Sequence, residues 1–377
     1  MQIELILFAI IIFTYGLFTT TAIIGIGRLV RFKRLKNNEF NPKLISIVVS
    51  FKNEEENIRT FIAEINKQEY PKDKFELIMF DDCSDDQSYN IAKQQLSSST
   101  ITHQLHKQET HKGKKCNLGL AIQKANGEII VTTDADVIVR NSQWLNTINS
   151  YFSRQKTDLL IMPIDYIDTK TTLGFFQILE NIALTAYTAG FAGINKPFLC
   201  NGANLAFLKN SFQTVNGYET HSHISSGEDV FLLEDIKKLK GANIQYGLSK
   251  ELIVYTNTQN TLKDIFNQRV RWAYKAKYNS NVVNSSLGLT VILSNLIFLA
   301  WFVALVKQSV FIPYLSIFAI SKVFFDFLLL FLASIFLNRS RFLVGLVFFE
   351  SIYWVYALII GTCSLFWKPN WKGKRVS

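Results

Sequence analysis

A long apolar segment close to the N-terminus constrains this chain more than any other feature. It runs from Leu5 to Val30 without a charged side chain before Arg28, and a basic stretch, Arg31 to Lys36, follows it. The segment exceeds the roughly 7–15 apolar residues of a signal peptide and is long enough for a helix to cross a bilayer. Because cationic residues collect on the cytoplasmic side of membrane helices, we expect a transmembrane anchor with its basic flank over residues 1–36, and the following chain in the cytosol.

A second apolar region lies at the C-terminal end. We expect transmembrane helices over residues 285–367 and a basic tail over residues 368–377. The candidate spans are residues 286–306, 311–336 and 342–366. Three spans would leave the tail outside, against the positive-inside rule, so either one segment is re-entrant or interfacial, or the boundaries differ. Within the second span, Lys322 and Asp326 stand four residues apart and either form a structural ion pair or contact a lipid acceptor.

Composition agrees with a membrane protein. Hydrophobic residues make up 49% of the chain and charged residues 19%, and the formal net charge is +10. A basic balance alone would also fit nucleic-acid binding, but here the basic residues flank the apolar segments, where anionic lipid headgroups account for them. We therefore expect a multi-pass protein of the cell membrane, with no nucleic-acid partner.

The middle of the chain has a different pattern, in which short apolar runs alternate with polar, helix-like segments. The predicted strands are Leu44–Val49, Phe75–Phe80 and Glu128–Thr133, and the predicted helices are Glu54–Gln68, Asp86–Gln95 and Cys116–Lys124. Such alternation indicates βαβ units and a mostly parallel, Rossmann-like sheet. The fold class is therefore α/β, in a cytosolic domain over residues 43–250.

Acidic and polar clusters follow three of these predicted strands, at the edge where α/β sheets bind ligands. Asp134-Ala135-Asp136 follows the third strand, and two carboxylates one residue apart suit a divalent cation that also binds substrate phosphates. Alone, such a triplet is a weak signal, because solvated acidic turns are common. Asp81 and Asp82 end the second strand and are candidates to accept hydrogen bonds from a nucleotide base or ribose. Glu54 stands in the polar cluster after the first strand.

Two further motifs carry charges suited to catalysis. Gly113-Lys114-Lys115, followed by Asn117, puts cations near a helix N-terminus, which suits a diphosphate, although a solvated basic turn has the same pattern. Gly227-Glu228-Asp229 opens an apolar helical run. Acidic residues favour a helix N-terminus in any protein, but a carboxylate of this pair near a metal site would also be a general base for an acceptor hydroxyl.

An amphipathic segment over residues 251–284 precedes the C-terminal spans. It contains Gln268-Arg269-Val270-Arg271-Trp272. Arginine and tryptophan at headgroup level are common in interfacial helices. The functional interpretation places Arg271 on a leaving diphosphate and Trp272 on a sugar face.

The order of these motifs resembles the membrane-bound, inverting family 2 glycosyltransferases, which have the GT-A fold. The resemblance covers about residues 43–280 and rests on motifs in the family's order: Val48 to Glu54, Asp81-Asp82-Cys83-Ser84-Asp85-Asp86, Gly113-Lys114 to Asn117, Asp134-Ala135-Asp136, Gly202-Ala203-Asn204, Glu228-Asp229 and Gln268 to Trp272. The last motif, Gln-x-x-Arg-Trp, is similar to that of processive polysaccharide synthases and of ceramide glucosyltransferases.

The resemblance implies a set of roles. Asp136 holds Mg²⁺ or Mn²⁺ with Asp134 as partner, and Asp229 is the catalytic base. The nucleotide-sugar donor is bound by Glu54, Asp81, Asp82, Lys114, Asn117, Asp134 and Arg271. The acceptor is bound by Gly202, Asn204, Glu228, Gln268 and Trp272.

Three functions remain open from the sequence. The short C-terminal membrane region favours inverting transfer of one sugar, or a few, to a lipid acceptor rather than to a growing glycan. A processive polysaccharide synthase would use the same chemistry but needs helices for a polymer channel. A non-catalytic membrane transporter or scaffold predicts acids inside the spans, whereas nearly all acids here lie in the middle of the chain.

Overall fold

The chain divides into two compact units. The structure, a computed structural model, describes residues 2–33, 41–154, 156–221, 227–276, 282–366, 370–371 and 374–375. The sheet unit comprises Val30–Ile167 and Leu199–Asn257, and the helical unit comprises Met1–Leu29, Asp168–Phe198 and Thr258–Ser377. Parts of three sequence predictions lie outside the described residues: the basic flank from residue 34, the amphipathic segment at 277–281, and most of the basic tail.

The strands in chain order are β1 Ile45–Phe51, β2 Phe75–Asp81, β3 Thr102–Lys107, β4 Ile129–Thr133, β5 Leu159–Ile161, β6 Ile164–Tyr166, β7 Asn204–Leu208, β8 Ile244–Tyr246, β9 Val254–Thr256, β10 Asn370–Trp371 and β11 Lys374–Arg375. The helices are α1 Gln2–Lys33, α2 Ile58–Asn66, α3 Ser88–Ser97, α4 Lys114–Lys124, α5 Trp144–Arg154, α6 Thr172–Gly193, α7 Lys209–Thr214, α8 Glu228–Lys237, α9 Leu262–Ala276, α10 Val282–Val306, α11 Ile312–Leu337 and α12 Leu346–Phe366.

A seven-stranded sheet in the order β3-β2-β1-β4-β7-β5-β8 forms the centre of the sheet unit. Strands β3, β2, β1 and β4 are mutually parallel, and β7 runs antiparallel to both of its neighbours. The predicted mostly parallel α/β sheet is confirmed. All of β2 is buried, as expected for a strand covered on both faces. Helix α2 packs its apolar residues at helical spacing, and these are Ile58, Phe61, Ile62 and Ile65.

The strand register brings the acidic strand ends level with one another. Phe51 at the end of β1 lies opposite Asp81 at the end of β2. On the other side of β1, Val49 lies opposite Thr133, the last residue of β4. Asp134 is therefore the first residue after β4, and it lies at the same edge of the sheet as the ends of β1 and β2. Because parallel strands share one carboxyl edge, the segments that follow β1, β2 and β4 meet there.

The helical unit contains four helices long and apolar enough to cross a membrane. Among the described residues they are Glu4–Arg31, Ser285–Val306, Ile312–Leu337 and Ser340–Phe366, close to the four spans expected from the sequence. In the last of these, a 3-10 segment, Ser340–Gly345, precedes α12. Large apolar side chains remain exposed on these helices, among them Phe13, Ile320 and Val347. Exposed apolar surface of this extent fits contact with lipid.

Helix α6 belongs to the helical unit, and the sequence did not predict it. It begins after Thr171, whose hydroxyl accepts a hydrogen bond from the Gly174 N–H at 3.0 Å. It packs on α1 through glycines in close backbone contact, since a Cβ atom at Gly25 would lie only 1.7 Å from the Gly190 carbonyl oxygen. Glycines permit such close helix crossings in membrane bundles.

A charged cluster is buried within the helical unit. The Lys322 ammonium lies 2.7 Å from Asp326 Oδ2 and 2.6 Å from Glu350 Oε2, and its side chain is 3% exposed. The Tyr15 hydroxyl donates a hydrogen bond to Asp326. The ion pair expected between Lys322 and Asp326 is thus formed, and α1 and α12 each add one residue to it.

Candidate active site

Asp81 ends β2 with one carboxylate oxygen satisfied and the other available. Its Oδ1 accepts a hydrogen bond from the Ser84 N–H at 3.1 Å and another from the Ser84 hydroxyl. Its Oδ2 is buried and has no hydrogen-bond partner in the described part of the chain. Leaving a buried carboxylate oxygen unpaired is costly. The atom is therefore suited to accept a hydrogen bond from a bound ligand.

Asp82 binds the backbone of the loop that precedes α4. Its carboxylate accepts hydrogen bonds from the N–H groups of Lys112 at 2.8 Å and Gly113 at 3.1 Å. His111 Nδ1 lies 2.5 Å from its Oδ2. Gly113 has a φ of +91°, which a residue with a side chain rarely adopts, so glycine is needed where this loop enters the helix. The carboxylate of Asp82 is thus engaged by the protein itself.

Lys114 is the first residue of α4 and stands among carboxylates. Its Nζ lies 2.5 Å from Asp134 Oδ1 and 3.6 Å from Glu228 Oε1. Burial on its own would lower the pKa of this ammonium, but Asp134, Glu228 and Asp229 outweigh that effect and hold the pKa above its usual value. Lys114 is therefore charged at physiological pH.

The residues after β4 fit a divalent cation that is completed by a ligand. Asp134 and Asp136 are both partly exposed on the turn, with Ala135 buried between them. Within the described residues no group of three or more His, Cys, Asp and Glu side chains is placed to hold a metal by itself. Two carboxylates combined with phosphate oxygens are a usual Mg²⁺ arrangement. The carboxylates around Lys114 also outnumber its single positive charge, which favours a further cation.

Asp229 lies in the first turn of α8 and is held by two backbone groups. Its Oδ2 accepts a hydrogen bond from the Gly202 N–H at 2.9 Å, and its Oδ1 accepts one from the Val230 N–H at 2.9 Å. A Cβ atom at Gly202 would lie 3.4 Å from the Asp229 Cβ, which is an ordinary van der Waals distance. Glu228 is buried beside Lys114. Burial and these two acidic residues raise the pKa of Tyr218.

Several predicted site residues make contacts that also serve the fold. The amide of Asn204 donates hydrogen bonds to the carbonyls of Pro163 at 2.7 Å and Leu252 at 2.9 Å, and it is fully buried. Asn117 accepts a hydrogen bond from Gln108 at 3.0 Å. Glu54 accepts one from the Asn57 amide at 2.9 Å. Their roles in binding donor or acceptor stay predictions.

Gln268, Arg271 and Trp272 belong to α9 in the helical unit. The amphipathic segment expected over residues 251–284 contains the helix α9, which is described from Leu262 to Ala276. Within it, Gln268 Oε1 accepts a hydrogen bond from Arg269, and the Arg269 guanidinium lies 4.3 Å from the centre of the Trp272 ring.

The contacts join most of the predicted residues of the sheet unit into one set. Asp82 binds the loop at Gly113, which precedes Lys114. Lys114 contacts Asp134 and Glu228. Asp229, which follows Glu228, binds Gly202. Sequence reasoning missed His111 and Ser84, which hold the two strand-end acids. Ser84 follows an acidic strand end, where a serine commonly bonds the preceding chain. His111 gave no comparable signal.

Comparison with known proteins places this arrangement in a class. Residues 46–214 match the family model described as Glycosyl transferase family 2. The mostly parallel central sheet has the GT-A fold. Among solved structures, the chain is similar to the mannosyltransferase PcManGT from Pyrobaculum calidifontis, in complex with GDP-Man and Mn²⁺. The TM-score is 0.55 and the identity 15%, over 96% of this chain and 99% of that one.

Two curated relatives are similar over part of the chain. The glycosyltransferase AglE of Haloferax volcanii is 28% identical over 49% of this chain and 59% of its own length. The poly(ribitol-phosphate) beta-N-acetylglucosaminyltransferase TarS of Staphylococcus aureus is 28% identical over 31% of this chain and 20% of its own length. The chain thus spans a fifth of TarS and less than two thirds of AglE.

Proposed function

We propose that this protein transfers a sugar from a nucleoside-diphosphate sugar to a lipid acceptor in the membrane, with inversion at the anomeric carbon. The observation that carries the proposal is Lys114, held between Asp134 on one side and the acidic start of α8 on the other. A diphosphate donor needs a cation beside it, and an acceptor hydroxyl needs a base. This cluster offers both within one set of contacts.

Donor binding would use the strand ends. The unpaired Oδ2 of Asp81 is the acceptor for a ring N–H of the nucleotide base. Asp82 holds the loop that presents Lys114, and Lys114 offers its ammonium to the diphosphate. Asp136 and Asp134 would hold Mg²⁺ or Mn²⁺, which neutralises charge on the leaving diphosphate when bound. The GDP-Man and Mn²⁺ in the PcManGT complex support this assignment.

The reaction is a single displacement. A bond forms between the acceptor oxygen and the anomeric carbon while the bond from that carbon to the diphosphate oxygen breaks. The electron pair leaves with the diphosphate, and the acceptor proton passes to Asp229. The backbone N–H groups of Gly202 and Val230 fix the Asp229 carboxylate, so little reorganisation is needed for proton transfer. Arg271 is the candidate for a second cation on the leaving group.

The helical unit supports a lipid as the acceptor. Its four long apolar helices with exposed apolar side chains fit a bilayer, and a lipid acceptor would reach the enzyme from there. We propose that these helices span the cell membrane with the sheet unit in the cytosol, as the basic flank after α1 indicates. The alternative function that uses the same reaction is a processive polysaccharide synthase. The Gln-x-x-Arg-Trp motif fits that function equally well.

One experiment separates these functions. Membranes that contain the protein are incubated in turn with radiolabelled UDP-, GDP- and CDP-sugars, and lipid and polymer fractions are then extracted. A single labelled glycolipid supports the proposal, whereas a ladder of oligomers supports the synthase. No label in either fraction from any donor would point to the transporter or scaffold.

A further inference from the structure

A buried arginine inside the Gln-x-x-Arg-Trp segment has no place in the mechanism so far. Arg269 is 4% exposed and belongs to α9. Its Nε and Nη2 donate hydrogen bonds to Glu180 Oε2 of α6, at 2.8 and 2.6 Å. The other oxygen of Glu180 accepts a hydrogen bond from the Tyr356 hydroxyl of α12 at 2.9 Å. Three helices of the helical unit therefore meet at one ion pair.

The same guanidinium also contacts both ends of the motif. Its Nη1 donates a hydrogen bond to Gln268 Oε1, and its Cζ lies 4.3 Å from the centre of the Trp272 ring. Gln268 and Trp272 are partly exposed, whereas Arg269 between them is buried. A buried charge with a fixed partner sets the rotation of its helix, and its contacts set the neighbouring side chains.

We propose that Arg269 is a positioning residue for the acceptor, fixing Gln268 and Trp272 in the orientation that binds it. The inference rests on the proposed function and adds the residue that prepares the acceptor contacts. Only arginine can do this at position 269, because lysine has no planar fork to bond Glu180 and Gln268 together while stacking on an indole ring. Simple attachment of α9 to α6, in contrast, needs only the positive charge.

That difference defines the test. Arg269→Lys keeps a cation beside Glu180 but loses the contacts with Gln268 and Trp272. Arg269→Lys also weakens the contact between α6 and α9, so a second variant separates folding from positioning. The exchanged pair Glu180→Arg with Arg269→Glu restores an ion pair between these helices without a guanidinium on α9. Tyr356→Phe is the matched control, since it removes one hydrogen bond to Glu180 and leaves the motif untouched.

Each variant is purified in detergent and assayed with total membrane lipid extract in mixed micelles, using the donor that the wild type transfers. Three quantities are measured: the lipid concentration at half-saturation, kcat, and the Kd of the tightest-binding of UDP, GDP, CDP and ADP. Melting temperature is followed in parallel. We expect Arg269→Lys and the exchanged pair each to raise the half-saturating lipid concentration at least tenfold. In these variants the nucleotide Kd should stay within threefold of wild type. In Tyr356→Phe the lipid half-saturation, kcat and nucleotide Kd should all stay within threefold of wild type.

The possible outcomes are distinct. If the exchanged pair restores both the melting temperature and the lipid half-saturation, the ion pair only joins the helices and the positioning role is wrong. If the melting temperature recovers while lipid half-saturation stays raised, the positioning role is supported. If the wild type transfers no sugar from any donor, the proposed function fails, and this inference fails with it.

Discussion

The ammonium of Lys114 lies 2.5 Å from a carboxylate oxygen of Asp134, so the first residue of α4 is joined to the turn that follows β4. This contact connects the predicted phosphate-binding lysine to the predicted metal-binding triplet. The ammonium balances part of the negative charge of the triplet. When a donor binds, its diphosphate would contact the Lys114 ammonium, and its metal would contact the carboxylates of the triplet.

Removal of the Lys114 charge should weaken donor binding. Lys114→Met leaves the diphosphate without its charged hydrogen-bond donor, a contribution of about 1.5–3 kcal/mol, or roughly tenfold to a hundredfold in affinity. Calorimetric titration of the variant with nucleoside diphosphate and Mg²⁺ measures the loss. Lys124→Met, at the exposed end of the same helix, is the control and should bind as the wild type does. Equal affinity in Lys114→Met would remove the lysine from the donor site.

The unpaired oxygen of Asp81 should be the contact to the base. Asp81→Asn replaces one carboxylate oxygen by an N–H donor, so the nucleotide should bind roughly tenfold to a hundredfold more weakly. Inorganic pyrophosphate with Mg²⁺ lacks a base, and its affinity should not change. The exposed neighbour Asp85→Asn serves as control. Parallel losses for nucleotide and pyrophosphate would show that Asp81 supports the site as a whole instead of the base.

Metal dependence should follow Asp136. Chelation with EDTA should abolish sugar transfer by the wild type, and Mn²⁺ or Mg²⁺ should restore it. Asp136→Asn should lower transfer at least about a hundredfold even at millimolar metal, because one anionic ligand is lost. Asp73→Asn, on an exposed turn of the sheet unit, should transfer sugar normally. Full activity of the wild type after EDTA treatment would rule the metal out.

The buried cluster in the helical unit should matter for stability. Lys322→Met leaves Asp326 and Glu350 buried without their cation, which costs about 3–5 kcal/mol when one partner of a buried pair is removed. The melting temperature in detergent should fall, and the triple variant Lys322→Met, Asp326→Asn, Glu350→Gln should recover most of the loss. The exposed Lys307→Met provides the comparison. An unchanged melting temperature in Lys322→Met would mean that the cluster does not hold the helices together.

Three of the seven strands of the sheet were predicted from the sequence because their signals are local, and the other four were not. Strands β1, β2 and β4 are runs of buried apolar residues, and each begins and ends within two residues of its predicted bounds. The four apolar spans were equally clear, since length and composition suffice for them. The antiparallel β7 was not predicted, because its pairing with β4 and β5 joins residues far apart in the sequence.

The sequence did not predict which residues from distant segments contact each other. The pattern suggested the pair Lys322–Asp326, but Glu350 lies on another helix and joins it only in three dimensions. Helix α6 carries small residues and Glu180, so it gave no clear amphipathic stripe, and it packs on α11 and α1, which are distant in the sequence. Asp81 and Asp82 are adjacent and equivalent in the sequence. Only the contacts of Ser84 and of the Gly113 loop distinguish the two.

Asp229 is the proposed base in sugar transfer from a nucleotide donor. The most direct test of this role measures sugar transfer and nucleotide affinity side by side for the wild type, Asp229→Asn, and Glu234→Gln on the same helix. We expect Asp229→Asn to lose at least about a thousandfold in transfer, since the acceptor proton has no acceptor, while its nucleotide Kd stays within threefold and Glu234→Gln resembles the wild type. Normal turnover by Asp229→Asn would contradict the account.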